Sequence, residues 1–210
     1  MIDMKRQTHL SPHSLDLRYG MSMKSLVASA VLVSIICVPI AAQMPLQLTP
    51  DEEALLGAAL QGNQGEVERL VSKGVAVDTV DAEKHTPLMF AAFNGHTAVV
   101  AFLHEKGAEI DAKDINGRTA LMYAASGPFV ETVKFLLDEG AEVNLQGTLE
   151  SFTALMTAAA EGQIDVVRLL LDHGADRTIV DKDGDTALSF ARQGGHTDVV
   201  ELLESSSAGE

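Results

Sequence analysis

The sequence predicts an all-α solenoid of about five stacked helix-turn-helix repeats, with β-hairpin-like fingers between them. Three observations lead there. A seven-residue motif opening on threonine returns along the chain, and two glycine series keep step with it. Hydrophobic residues make up 46% of the chain but aromatic ones only 4%, so the core must be built from Ala, Leu and Val. Small side chains of that kind let helices approach closely.

The motif reads Thr86-Pro87-Leu88-Met89-Phe90-Ala91-Ala92, then Thr119-Ala120-Leu121-Met122-Tyr123-Ala124-Ala125. It returns as Thr153-Ala154-Leu155-Met156-Thr157-Ala158-Ala159 and as Thr186-Ala187-Leu188-Ser189-Phe190-Ala191. The threonines are spaced by 33, 34 and 33 residues. Gly74, Gly107, Gly140 and Gly174 follow the same period, as do Gly62, Gly95, Gly162 and Gly195. Such a period marks a repeat architecture in which no unit can bury its apolar face alone.

These columns resemble the ankyrin repeat family, whose T-P-L-H-x-A signature and 33-residue length match four times. A degenerate first copy, Leu55 to Asp81, brings the total to five and the resemblance to about residues 50–205. The fold it implies is an ankyrin-repeat solenoid. The activity it implies is non-enzymatic protein binding through a concave face made of fingers and inner helices.

The elements follow in order. Residues 25–42, SLVASAVLVSIICVPIAA after Lys24, carry the basic, apolar and small-residue parts of a secretory signal peptide. Residues 1–42 are therefore expected to be a leader, with Met21 or Met23 as alternative starts, and 43–49 a linker. The rival expectation is an uncleaved anchor in the inner membrane. Thr49-Pro50-Asp51-Glu52 forms a capping box that opens the first helix. In each later repeat a threonine opens a short inner helix, a glycine turn follows, and an outer helix carries apolar residues at helical spacing. Val99, Val100, Phe102 and Leu103 are one such set. Gly107, Gly140 and Gly174 stand where an outer helix must end in a left-handed residue. Polar Glu201 and Glu204 suit a terminal repeat facing water, and residues 206–210 are expected to be disordered.

Charge narrows the function. Fifteen basic against 30 acidic residues leave a net charge of −15, which argues against nucleic acid and against an anionic membrane surface. One cysteine, Cys37, excludes a disulfide framework and a thiolate zinc site, and leader cleavage would remove it. Asp181-Lys182-Asp183-Gly184-Asp185 fails as a calcium loop, since its glycine falls at position four and Arg192 at position twelve. Nucleotide-loop and nucleophile-elbow motifs are absent from the sequence. No metal and no cofactor is expected.

The residues expected to meet a partner lie in two columns placed by the resemblance. The one before each threonine holds His85, Arg118, Phe152 and Asp185; the one after the alanine pair includes Phe93 and Asn94. Their types change between copies while the neighbouring positions hold steady. Leu149 joins them, because the stretch 144–152 carries the extra residue of the 34-residue repeat and is apolar where other fingers are charged. An exposed apolar pair there anchors a partner or folds back onto the neighbouring finger. Met89, Met122 and Met156 replace the family's usual histidine, as core residues or as an oxidant-scavenging ladder.

The expected function is a scaffold or adaptor in the bacterial periplasm that binds a protein partner bearing a basic patch. After signal cleavage it would touch no membrane, and a monomer is expected. The resemblance extends to exported bacterial ankyrin proteins, some of them tied to peroxide resistance, which implies a link to oxidative-stress defence. The alternative is a membrane-tethered assembly protein.

Overall fold

The computed structural model describes residues 48–205. The expected leader, most of the expected linker at 43–49 and the expected tail at 206–210 lie outside the described residues. Among the described residues ten helices follow one another in five pairs. The inner helices are α1 (Pro50–Gln61), α3 (Pro87–Phe93), α5 (Ala120–Ala125), α7 (Ala154–Ala160) and α9 (Ala187–Gly194). The outer ones are α2 (Gln64–Ser72), α4 (Thr97–Glu105), α6 (Val130–Asp138), α8 (Ile164–Asp172) and α10 (Thr197–Ser205). Each inner helix packs on its own outer helix and on the inner helix of the next repeat, and the outer helices stack likewise.

Threonine capping starts the inner helices. The Thr49 hydroxyl accepts the Glu52 N–H while the Glu52 carboxylate accepts the Thr49 N–H at 2.7 Å. Those bonds hold the Glu52 carboxyl below its ordinary range. At Thr86 the same reciprocal arrangement uses sulfur, with the Thr86 N–H directed at Met89 Sδ, 3.5 Å away. Thr153 and Thr186 cap as expected, whereas the Thr119 side chain makes no cap bond. The glycines that end the outer helices, Gly74, Gly107, Gly140 and Gly174, all have φ between 84° and 94°.

One hydrophobic core runs through all five repeats. Leu55, Leu88, Leu121 and Leu155 are buried in successive inner helices, and Leu70, Leu103, Leu136 and Leu170 in successive outer ones. Met89, Met122 and Met156 are buried in the same core. Alanine pairs at 91–92, 124–125 and 158–159 are fully buried, which is the close approach their size permits.

The fingers contain no assigned strand among the described residues, a difference from the hairpin expectation. Each is a tight turn closed across its base by a backbone bond: Asp81 N–H to His85 O, Asp114 to Arg118, Gly147 to Phe152 and Asp181 to Asp185; in three of them the residue three further on, Lys84, Gly117 or Gly184, also donates its N–H to the aspartate carbonyl. The first-residue aspartates make this geometry. Asp114 Oδ1 accepts the N–H groups of Asn116 and Arg118, both at 2.8 Å, and Asp81 and Asp181 do the same for residues two and four further on. A carboxylate that satisfies two loop amides fixes the turn without a partner strand.

Candidate functional site

The fingers are tied to one another through their backbones. Ile115 N–H donates to Glu83 O, Thr148 N–H to Asn116 O at 2.7 Å, and Lys182 N–H to Glu150 O. A second series braces successive repeats from below. Asp78 accepts the Glu109 N–H, Asp111 the Glu142 N–H, and Asn144 Oδ1 the Asp176 N–H at 2.8 Å. Burial pushes the Asp111 carboxyl above its ordinary range, opposed by the Glu142 N–H it accepts. The surface beside these braces is therefore rigid before any partner arrives.

Aromatic residues line this surface. The residue four beyond each threonine is Phe90, Tyr123, Thr157 or Phe190, and each ring is half-buried. The residue before a threonine packs on the ring of the following repeat: His85 lies 5.9 Å from Tyr123 and Phe152 5.0 Å from Phe190, both edge to face. Arg118 breaks the pattern, because the next repeat offers Thr157. Its guanidinium instead lies over Tyr123 of its own repeat at 5.3 Å, with Nε 3.3 Å from Asp114 Oδ2 in an ion pair that lacks hydrogen-bond geometry.

His85 is turned inward, 4% exposed, which a partner-contact role did not anticipate. Nδ1 lies 2.8 Å from Asp81 Oδ2, and Nε2 lies 3.7 Å from Asp114 Oδ2 and 3.8 Å from Glu83. Tyr123 completes the cluster by donating its hydroxyl to Asp114 Oδ2 at 2.7 Å. Burial, then that hydrogen bond, raises the Tyr123 phenol far above its ordinary range. The cluster pins the first two fingers together.

The other expected residues fall in three groups. Phe93 is half-buried with its ring 6.1 Å from Tyr123, edge to face; Asn94 is exposed but donates its amide to Leu60 O of the preceding repeat at 2.7 Å. Leu149 and Phe152 part company: Leu149 is 54% exposed, whereas Phe152 folds in against Phe190. Asp185 is half-buried and accepts the Gln193 amide at 3.4 Å. The structure thus brings His85, Arg118 and Phe93 into one cluster around Tyr123 and leaves Phe152, on the third finger, and Asp185, on the fourth, outside it.

Tyr123, Phe190 and the finger aspartates belong to this surface although neither of the two expected columns contains them. A column count would have found them, since Asp81, Asp114 and Asp181 each stand five residues before a threonine and the rings four after. Among the described residues, no three His, Cys, Asp or Glu are grouped to hold a metal ion, and no helix is long and apolar enough to cross a membrane.

Stacked helix pairs with a braced surface of fingers and rings define a repeat solenoid of the protein-interaction kind. A family model for ankyrin repeats in three copies matches residues 55–147 and again residues 130–209. The chain belongs to the ankyrin repeat family, whose members are in general non-enzymatic modules that bind other proteins. Comparison with curated proteins gave no match.

Proposed function

We propose that this chain is an exported adaptor that works in the bacterial periplasm and holds a partner protein against the concave face of its repeats. The observation that carries the reading is the ring-lined surface around Tyr123, which is fixed by finger bonds and half-open to solvent. Rigid aromatic surface presented at low entropic cost is what binding hot spots are made of. Export rests on the sequence of residues 25–42, and a basic partner on the net charge of −15. Peroxide-removing enzymes are the first partners to try, on the strength of the sequence resemblance to exported bacterial ankyrin proteins alone.

The test is in-cell crosslinking followed by fractionation, with the native chain and a Phe93→Ala, Arg118→Glu variant. The reading expects one partner, crosslinked in the periplasmic fraction by the native chain and lost from the variant. A processed N-terminus near Gln43 would accompany it. A chain that stays with membranes at full length would replace this reading with the tethered one, and one retained in the cytoplasm would end both.

A further inference from the structure

Among the described residues the large apolar side chains that stand well exposed are Ile115, Leu149 and Val180, and all three are on fingers. The helices expose none of this kind. Three neighbouring fingers thus share what a solvated turn has no reason to carry.

The middle one is also the irregular one. Gly147 occupies the place of the usual aspartate, and a Cβ there would come 3.2 Å from Asn116 O, so an aspartate could not return without a shift. The extra residue is absorbed between Gly147 and Phe152, with Ser151 at φ 60°. Even so, the tip is held on both sides. Thr148 and Leu149 both direct their N–H groups to Asn116 O, and Lys182 Nζ donates to Leu149 O at 3.3 Å. Gln146 Nε2 bridges Ser151 O and Val180 O. Leu149 is displayed on a fixed backbone.

The surroundings are acidic. Glu150, Asp183 and Asp185 flank the last two fingers, and the cation among them, Lys182, lies 4.0 Å from Glu150 and is also bound to the Leu149 carbonyl. Carboxylates outnumber the one lysine on these two fingers, and that negative charge beside the exposed Leu149 complements a segment that offers a large apolar side chain beside Lys or Arg.

We propose that the outer edge of the third and fourth fingers, centred on Leu149 and Val180, is a docking site for an extended protein segment carrying an apolar residue flanked by basic ones. This rests on the reading of the chain as a partner-binding module and adds to its Tyr123 surface a second contact, on the finger edge. The carboxylates speed encounter and select sign, while the apolar contact sets the lifetime of the complex.

The experiment presents the full chain with three synthetic peptide libraries, which place a central Leu or Phe among Lys/Arg, among Asp/Glu, or among Ser/Gln. Binding is read by fluorescence anisotropy and the footprint by hydrogen exchange. The expected result is selection of the basic library, amide protection at residues 146–152 and 180–185, and weakening as salt rises. Leu149→Ser with Val180→Ser should weaken binding about tenfold or more, with the circular dichroism spectrum unchanged. Because both side chains are exposed, the variant keeps the core intact. Basic peptides footprinted around Phe93 and Tyr123 would overturn this site while leaving the partner-binding reading standing. Selection of the acidic or neutral library would overturn it too, as would a dimer dissolved by Leu149→Ser. If no library binds while crosslinking still finds a partner, the segment proposed here is wrong and the module reading survives.

Discussion

His85 and the carboxylate of Asp81 meet twice: the imidazole Nδ1 lies 2.8 Å from Oδ2, and the His85 backbone N–H donates to Oδ1 at 2.8 Å. One aspartate thereby shapes the finger and orients the ring that reaches toward Asp114. Replacing His85 by alanine leaves Asp81 Oδ2 without that partner and opens a gap against Phe90 and Tyr123. Urea denaturation should show a loss of about 1–3 kcal/mol. An unchanged midpoint would make the histidine a bystander.

Tyr123 ties stability to alkaline pH. Its phenol is raised in the folded chain, so the neutral form is favoured there, whereas an unfolded tyrosine ionises near pH ~10. The stabilisation is complete below that value and is lost as pH rises beyond it. Melting temperatures measured from pH 7 upward should therefore fall more steeply for the native chain than for Tyr123→Phe. Below pH ~9 the variant should be the less stable of the two, by about 1 kcal/mol, because it lacks the bond to Asp114.

Two positions in one column should respond in opposite directions. Lys84 adopts φ 63° where Gly117 and Gly184 stand in other fingers. Lys84→Gly relieves a left-handed side-chain conformation that costs about 1–2 kcal/mol, partly offset by the greater freedom of glycine when unfolded, and should raise the melting temperature. At Gly117 an added Cβ would lie 2.4 Å from the Thr148 backbone nitrogen at φ 75°. Gly117→Ala should destabilise by roughly 2 kcal/mol or more. Thermal unfolding of the pair checks both signs.

Burial decides the chemistry of the methionines. Met89, Met122 and Met156 are within the core and the Thr86 N–H points at one of the sulfurs. Peptide mapping after mild peroxide treatment should find these three spared in the folded chain and oxidised in urea. Rapid oxidation in the native state would restore a scavenging role.

The repeat stack was legible because a single physical requirement, a helix pair burying its face on the next pair, writes itself into every 33 residues. Thr49 with Glu52 announced its capping box, and Gly107 its left-handed turn, since those devices act within a few residues. The surface was harder. His85 sits in a column where its neighbours are half-open, and nothing local reveals that Asp81 and Asp114 close over it; that depends on two fingers meeting across 33 residues. Asn94 likewise resembled a contact residue until Leu60 O claimed its amide. Leu149 and Phe152 share one loop, yet only Phe190 in the next repeat determines which of them folds in.

The way the third finger takes its extra residue has a consequence for what the chain can become. Gly147 N–H still closes on Phe152 O, and Lys182 still reaches Glu150 O, so the added length stays inside residues 148–151 and the finger keeps its closure and its tie to the next one. Length there is uncoupled from both bonds. Sequence could be lengthened or exchanged at that tip, by mutation or by grafting, and the molecule would gain a new reading head without renegotiating its core.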